Sequence, residues 1–229
     1  MEDTKRDTIY GDHLNDLIAI KDRLLGDVDR VRKELRSSTG MDPVEHCLGR
    51  IKSDESMREK CDRKGLPQNE ESAIKVIRDA IGIRVVCSFL DDVYAIRDAL
   101  DELPGCRIIE EKDYIRHAKP NGYRSLHLIL EIEPEYYLDA GPDAGETHSG
   151  SSETAADEPA PSGEGQKYYA EIQLRTISMD TWGALEHHLK YKKDLNGNVD
   201  LITRELKRCA DELAATDASM QTLRDMIMG

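Results

Sequence analysis

The sequence predicts an α/β domain built around one mixed, mostly antiparallel, five-stranded sheet that is surrounded by helices. Five β-rich runs alternate along the chain with stretches of helical periodicity, which is the pattern of a sheet packed against helices. The segment that joins the third and fourth runs is too short for a crossover, so those two strands are expected to pair antiparallel. With 229 residues, the chain can hold one large domain or two small ones.

The N-terminal segment, residues 1–42, is predicted to be helical. Apolar side chains recur at three- and four-residue steps over 12–37, and Gly40 follows the last of them. Further along, Ser53 can cap a helix that ends at Gly65. The elements predicted after the first helix are strand 44–52, helix 53–65, helix 70–80, strand 82–89, helix 91–103, strands 106–115, 123–133 and 168–175, and helices 177–192 and 199–227.

The central domain is predicted over 43–198, and it contains an acidic insertion at 139–166. This insertion carries seven acidic residues and no Lys or Arg, which accounts for half of the net charge of −14. Most of its other residues are Gly, Ala, Ser, Thr and Pro, so it cannot bury enough apolar surface to offset the entropy of ordering. We therefore predict a disordered surface insertion between two paired strands, with a regulatory role as the alternative.

The C-terminal segment, 199–229, is predicted to be one helix with an apolar seam. Its apolar side chains alternate four- and three-residue steps, which is the spacing of the a and d positions of a coiled coil. The seam consists of Ile202, Leu206, Cys209, Leu213, Thr216, Met220, Leu223 and Ile227. Two interpretations are open, a contact between copies of the chain and packing on its own domain.

The composition argues against several classes of protein. An acidic chain lacks the cationic surface that nonspecific nucleic-acid binding requires, so no stable nucleic-acid partner is expected. The five cysteines include no CxxC pair, which indicates reduced thiols rather than a metal site or disulfides. Neither a signal peptide nor a run of about 18 apolar residues is present, so we predict a cytoplasmic protein with no membrane partner.

The first group of candidate site residues surrounds the start of the predicted helix 53–65. Arg50 and Lys52 alternate to one face of the preceding strand, while Ser56 and Lys60 share one face of the helix. Three cations and a hydroxyl group at a helix N-terminus are suited to phosphate binding. By themselves these residues are better explained as a solvated charged face.

A second group joins a helix end to a strand and continues on a later strand. Asp79 closes a predicted helix, and Arg84 enters the strand two residues after a glycine. Period-two alternation places Glu171, Gln173 and Arg175 on one face of the strand 168–175. A carboxylate, an amide and a guanidinium in one row make a polar surface that needs a ligand or partners.

A third group follows the turn signal Asn121-Gly122. Tyr123 is predicted to begin the next strand, where it shares a face with His127. Lys112 and Lys119 lie close by in the sequence and add positive charge. Cations suit phosphate groups, and an aromatic ring can stack on a base.

Taken in order, these motifs resemble the synthetase domain of the RelA/SpoT family of alarmone synthetases. The resemblance rests on three blocks together with the Arg-x-Lys and Asp79 motifs, and it runs from about Val44 to Lys193. The blocks are Lys112-Asp113-Tyr114-Ile115, Asn121-Gly122-Tyr123-Arg124-Ser125-Leu126-His127, and Glu171-Ile172-Gln173-Leu174-Arg175-Thr176. The resemblance implies a nucleotidyltransferase-like domain, and no hydrolase or regulatory domain accompanies it.

The resemblance also implies roles for the candidate residues. The ATP-binding set would be Arg50, Lys52, Ser56, Lys60 and Arg84, with both arginines packed on adenine. The set that binds the guanine nucleotide would be Lys112, Lys119, Tyr123, His127, Gln173 and Arg175, with the tyrosine ring stacked on the base. Asp79 and Glu171 would be the catalytic acids and would hold Mg²⁺.

The reaction implied is transfer of pyrophosphate from ATP to the ribose 3′-hydroxyl of GDP or GTP, which makes ppGpp or pppGpp. The same chemistry on an adenine nucleotide or on the 3′ end of tRNA is an alternative. A nonenzymatic guanine-nucleotide sensor is another, although a sensor would tolerate loss of Asp79 or Glu171. Because small members of the family assemble through terminal helices, a homo-oligomer, most simply a tetramer, is expected.

Overall fold

The computed structural model describes residues 8–138, 166–191 and 199–228. Its strands form one sheet in the order β1-β2-β5-β4-β3, in which only β2 and β5 pair parallel. The strands are β1 (Val44–Ile51), β2 (Ile81–Cys87), β3 (Cys106–Asp113), β4 (Leu126–Ile132) and β5 (Tyr168–Thr176). The predicted α/β fold with a mostly antiparallel five-stranded sheet is therefore confirmed. The predicted insertion lies outside the described residues, apart from Gln166.

Six α-helices accompany this sheet in the described ranges. They are α1 (Leu14–Thr39), α2 (Asp54–Lys64), α3 (Leu90–Asp101), α4 (Pro134–Leu138), α5 (Ile177–Tyr191) and α6 (Val199–Met228). Ser53 caps α2 as predicted, because its hydroxyl oxygen accepts from the backbone N–H of Ser56, and Gly65 ends the helix at φ 67°. No helix in the described part of the chain is long and apolar enough to cross a membrane.

The two faces of the sheet differ in chemistry. On β5, Ile172 and Leu174 are fully buried in the main core, together with the apolar stripe of α1, including Leu17, Ile20 and Leu24. The alternate β5 residues point to the opposite face and are polar or aromatic. The candidate site residues of β5, Glu171, Gln173 and Arg175, lie on that second face.

The helix predicted over 70–80 begins where expected but ends early. Residues 70–76 are helical, Ser72–Val76 as a π-helical turn, and Ile77 is already extended with φ −94° and ψ 105°. Val76 and Ile77 are β-branched, which lowers their helix propensity, and Ile77 is buried in the core. The segment therefore leaves its helical turn early, and it delivers Asp79 to the edge of the site just before β2.

The prediction that Tyr123 begins a strand was wrong, because β4 starts at Leu126. Gly122 has φ 92°, and the turn continues through hydrogen bonds from the Tyr123 N–H to the Asn121 side chain and from the Lys119 N–H to the Tyr123 carbonyl. Gly122 also lies against α6, where an added Cβ would come within 2.5 Å of the Ala210 Cβ. The turn is thus fixed by close packing as well as by backbone conformation.

Helix α6 packs on its own domain through a stripe displaced by one residue from the predicted seam. Ala210 and Gln221 are buried, the Gln221 side chain accepts from the Asp91 N–H, and Arg224 pairs with the buried Asp92 at 2.8 Å. The C-terminal half of the seam is exposed in the single chain, with Ile227 at 78%. One face of α6 therefore packs on its own domain, while the C-terminal end of the predicted apolar seam remains exposed.

Candidate active site

Two cavities on the polar face of the sheet share a pair of carboxylates. Asp79 and Glu171 line both the smaller cavity, of about 200 Å³, and the larger one, of about 410 Å³. Asp79 lies two residues before β2, and Glu171 is on β5 opposite Gly82 in the parallel pairing. The fold therefore brings together two acids that are far apart in sequence at the junction of two pockets.

The smaller cavity contains most of the residues predicted to bind ATP. Arg50, Lys52 and Arg84 line it, together with the exposed side chain of Leu48. Arg50 pairs with Gly82 across the antiparallel β1–β2 ladder, so a flat glycine surface separates the two arginines. A planar pocket wall with two guanidinium groups is suited to stacking on a base.

The other two residues of the predicted ATP set lie elsewhere. Lys60 lines the larger cavity instead. Ser56 lines neither cavity, and its hydroxyl accepts a hydrogen bond from Ser53 at 2.9 Å in the first turn of α2. The residues of the predicted phosphate cradle therefore do not line a single cavity.

Asp79 is surrounded by positive charge. The Lys60 amine contacts its Oδ2 at 2.5 Å, and the Lys52 amine contacts the same oxygen. Burial lowers the pKa of Lys52, an effect that the hydrogen bond to Asp79 opposes. The other carboxylate oxygen, Oδ1, is buried without a hydrogen-bond partner among the described residues.

The carboxylates of Asp79 and Glu171 could together contribute two ligands to a divalent cation. A buried carboxylate oxygen without a hydrogen-bond partner is unusual, and it is able to coordinate a cation. No group of three or more His, Cys, Asp or Glu that could hold a metal occurs among the described residues, so this part of the protein supplies no complete metal cage. Mg²⁺ commonly binds through one or two carboxylates plus substrate phosphates, which is what Asp79 and Glu171 offer.

Glu171 is held in its ionised form. Burial raises the pKa of its carboxyl group, but hydrogen bonds from His127 and Gln173 and the charge of Lys60 more than offset this and leave the pKa at about 2. Its Oε1 lies 3.3 Å from the His127 Nδ1, and its Oε2 accepts from the Gln173 amide at 3.0 Å. Such a carboxylate is suited to binding a cation and is a weak base at neutral pH.

Glu171 belongs to a closed ring of hydrogen bonds. The Gln173 carbonyl oxygen accepts from Arg175 at 2.9 Å, Arg175 also donates to the Tyr123 hydroxyl at 2.9 Å, and this hydroxyl lies 2.7 Å from the His127 Nε2. Because the Tyr123 oxygen accepts from Arg175, its proton is free to go to the His127 Nε2, which leaves Nδ1 to donate to Glu171. Four of the residues predicted to bind the acceptor thus orient one another.

Asp180, in the first turn of α5, is a further site residue that the candidate sets from the sequence did not include. Its Oδ1 lies 3.2 Å from both the Arg84 Nη1 and the Arg175 Nη1. The Arg175 side chain is only 7% exposed, and Gly183 leaves room for it, since a Cβ there would lie 2.8 Å from its Nη1. One carboxylate therefore joins an arginine of the smaller cavity to the hydrogen-bonded ring.

The larger cavity is lined by five cations. Three of them, Lys60, Lys112 and Lys119, were predicted as site residues, whereas Lys64 and Arg78 were not. Lys112 is paired with Glu110, which lines the same cavity. Such a concentration of cations in a chain with a net charge of −14 is suited to a polyanionic ligand.

The aromatic residue that lines the larger cavity is Tyr114 rather than Tyr123. The Lys119 amine lies over both rings, 4.4 Å from the Tyr114 centroid and 4.8 Å from the Tyr123 centroid. Tyr123 also packs edge-on against Trp182, with ring centroids 6.3 Å apart. Lys119 thus covers ring surface that a base would need for stacking, so stacking on Tyr123 remains a prediction.

Comparison with known proteins identifies the family. Residues 49–196 match the sequence profile described as the region found in RelA / SpoT proteins. The chain belongs to the RelA/SpoT family. The match spans the candidate site residues from Arg50 to Arg175, and α1 lies outside it.

Individual relatives in this family align with 80% to 96% of the chain. The GTP pyrophosphokinase YwaC of Bacillus subtilis is 35% identical over 224 residues, which are 96% of this chain and 93% of the relative. The GTP pyrophosphokinase YjbM of the same organism is 30% identical, over 80% of this chain and 72% of its own length. The crystal structure of small alarmone synthetase 2 from Bacillus subtilis aligns with a TM-score of 0.70 and 32% identity, over 94% of this chain and 98% of that one.

Proposed function

We propose that this chain is a GTP pyrophosphokinase that transfers pyrophosphate from ATP to the ribose 3′-hydroxyl of GDP or GTP, making ppGpp or pppGpp. The observation that carries this proposal is the pair of cavities joined at Asp79 and Glu171. A reaction between two nucleotides needs two binding pockets that meet where charge develops. The family relatives YwaC and YjbM bear the name of this activity.

The proposed reaction exchanges one phosphorus–oxygen bond for another. The 3′-oxygen of the acceptor attacks the β-phosphorus of ATP, the bond from this phosphorus to the α-phosphate oxygen breaks, and AMP leaves with that oxygen. The acceptor hydroxyl loses its proton to water in the same exchange. Catalysis then consists mainly of positioning the two nucleotides and neutralising phosphate charge.

The smaller cavity is the proposed ATP pocket. The guanidinium groups of Arg50 and Arg84 would hold the adenine, and the exposed Leu48 side chain would add apolar surface. Lys52 would neutralise the phosphates at the junction with the larger cavity, followed by Lys60 on α2. Ser56 keeps its predicted phosphate-binding role only if its hydroxyl turns away from Ser53 when ATP binds.

The larger cavity is the proposed pocket for the guanine nucleotide. Tyr123 would offer its ring to the base, with the hydroxyl fixed by His127 and Arg175. Lys119 would move from the tyrosine rings to a phosphate group, and Lys112 would exchange its Glu110 partner in the same way. Gln173 orients both Glu171 and Arg175, so it would align the reacting hydroxyl with the base.

Asp79 and Glu171 are proposed to hold Mg²⁺ at the junction of the two pockets. The ion supplies charge neutralisation on the phosphate oxygens when it is bound. The unpartnered Oδ1 of Asp79 and the ionised Glu171 support this assignment. Lys52 and Lys60 pair with Asp79, and they would move to the nucleotide phosphates.

The assembly proposed for this enzyme is a homo-oligomer, most simply a tetramer, with α6 at an interface. Support comes from the exposed apolar end of that helix, where Met220, Leu223, Met226 and Ile227 are all at least 49% exposed.

We also place the reaction in the cytoplasm, where its nucleotide substrates occur. The five free cysteines agree with a reducing compartment.

The test is a comparison of acceptors with the full chain. The protein is incubated with ATP, Mg²⁺ and one acceptor at a time from GTP, GDP, GMP, ADP and tRNA, and the nucleotides are separated by ion-exchange chromatography. We expect a 3′-pyrophosphorylated guanine nucleotide and an equal amount of AMP. Product with ADP or tRNA alone would reassign the acceptor, and binding without any product would indicate a sensor.

A further inference from the structure

Two cations of the larger cavity have no part in the reaction described so far. Lys64 and Arg78 both line this cavity, yet within the described ranges neither forms an ion pair. Their neighbours differ, since Lys60 contacts Asp79 and Lys112 contacts Glu110. The cavity thus contains two positive groups that are not bound to a carboxylate, although the charge of Arg78 helps to lower the pKa of the nearby Glu110.

Arg78 is held in place by an aromatic ring. Its guanidinium lies 4.9 Å from the centroid of Tyr169, and the Tyr169 hydroxyl lies 3.5 Å from Glu131 on the neighbouring strand. A guanidinium stacked on a ring keeps its N–H groups free at the edge of its plane. Arg78 is therefore positioned for an anion that presents two oxygens.

Lys64 extends a row of lysines along α2. It is the last residue of the helix and follows Lys60 by four residues, so the two share one face and lie about 6 Å apart. Lys60 reaches the Asp79 carboxylate at the junction of the cavities. Lys64 therefore continues the positive surface away from the reacting centre.

The order of side chains on β5 indicates in which direction the acceptor nucleotide would lie along the larger cavity. Arg175, Gln173, Glu171 and Tyr169 follow one another on one face, and alternate residues of a strand are spaced by about 7 Å. In the proposed function the base lies near Arg175 and the 3′-hydroxyl near Glu171. The 5′-phosphate chain then extends toward Tyr169, which holds Arg78.

We propose that Lys64 and Arg78 bind the terminal 5′-phosphate of the guanine nucleotide acceptor. This subsite gives the enzyme a preference for GTP over GDP, because only the longer phosphate chain reaches both cations. The inference rests on the proposed function and assigns a specificity to its acceptor pocket. Charge-assisted hydrogen bonds to phosphate are strong enough to produce such a preference.

The test compares three guanine nucleotides in four proteins. We measure kcat/KM for GTP, GDP and GMP at saturating ATP and Mg²⁺ in the wild type, in Arg78→Ala, in Arg78→Ala with Lys64→Ala, and in the control Lys75→Ala. Lys75 is an exposed cation on the same segment that lines neither cavity. We expect the double variant to lose roughly 10-fold or more with GTP and at most about 2-fold with GMP, and the control to be unchanged.

Two outcomes would overturn the proposal. An equal loss with GTP, GDP and GMP would mean that the two cations act on the cavity as a whole. A raised KM for ATP with an unchanged ratio of GTP to GDP would assign them to the donor. Calorimetric titration of GTP and GDP without ATP gives the same comparison without turnover, so a failure of the proposed reaction is distinguished from a failure of this subsite.

Discussion

Replacing Glu171 by Gln tests the junction of the two cavities most sharply. The change keeps the size of the side chain and removes its charge, and the amide oxygen can still accept one hydrogen bond from Gln173 or His127. Loss of one group that stabilises charge in the transition state commonly lowers kcat by about 10²–10³. We expect a decrease of that size in alarmone synthesis, because Glu171 lines both pockets and is ionised at neutral pH.

The same substitution has a calculable effect on stability. The pKa of Glu171 is about 2 in the folded protein against an ordinary 4.5, and this gap corresponds to at most about 3 kcal/mol. A depressed pKa stabilises the fold above pH 4.5, and the contribution disappears as the pH falls toward 2. The variant is therefore expected to be less stable at pH 7 by up to that amount, and its deficit should shrink below pH 4.5.

The assay combines steady-state kinetics with urea unfolding at several pH values. Glu111→Gln is the matched control, since Glu111 lies on β3, lines neither cavity and pairs with Arg97 at 2.8 Å. This control should retain synthesis. A folded Glu171→Gln protein with a kcat near that of the wild type would refute the assignment of Glu171 to the reacting centre.

Three other perturbations have defined outcomes. Asp79→Asn should also lower kcat by about 10²–10³ and weaken the binding of Mg²⁺ in the presence of ATP. Titration with Mn²⁺ followed by magnetic resonance measures the affinity for the ion. An unchanged affinity would contradict the metal assignment. Tyr123→Ala should weaken the binding of the guanine nucleotide by about 1–3 kcal/mol and leave the affinity for ATP nearly unchanged in parallel calorimetric titrations. An equal loss of affinity for both nucleotides would mean that Tyr123 has a structural role. Leu223→Glu with Ile227→Glu should dissociate the oligomer without unfolding the monomer, because both side chains are exposed in the single chain; a wild type with the mass of one chain in light scattering would rule out this interface.

The sequence predicted those parts of the site that follow from local periodicity. Alternation along one strand correctly grouped Glu171, Gln173 and Arg175, and the structure joins all three by hydrogen bonds. In the same way Arg50 and Lys52 were placed together, and both line the smaller cavity. In these cases the backbone geometry of a single strand determines which side chains are neighbours.

Other site residues could not be predicted because only tertiary contacts reveal them. Asp180 lies on a helix whose sequence gives no sign that it meets Arg84 of a distant strand. Arg78 looks like an ordinary helical cation until the early end of its helical turn places it against Tyr169. A signal for Arg78 existed in the neighbouring β-branched residues Val76 and Ile77, which disfavour a helix through position 80.

The packing of helix α6 on the domain also could not be predicted from the sequence. Two stripes one residue apart run along it, and the apolar spacing alone favoured the stripe that contains Leu223 and Ile227. The domain instead binds the adjacent stripe through polar contacts of Asp217, Gln221 and Arg224. Hydrophobic periodicity does not report such contacts, so it could not select the face that meets the domain.

The fate of an isotopic label in ATP tests most directly whether pyrophosphate is transferred from ATP in the smaller cavity to a guanine nucleotide in the larger one. The protein is given GTP and Mg²⁺ with ATP labelled either at the γ-phosphate or at the α-phosphate, and the products are separated. We predict that γ-label appears in the 3′-pyrophosphate of the guanine nucleotide and that α-label appears only in AMP, in equal amounts. Release of γ-label as inorganic phosphate with formation of ADP, or label from neither position in a guanine nucleotide, would contradict the assignment.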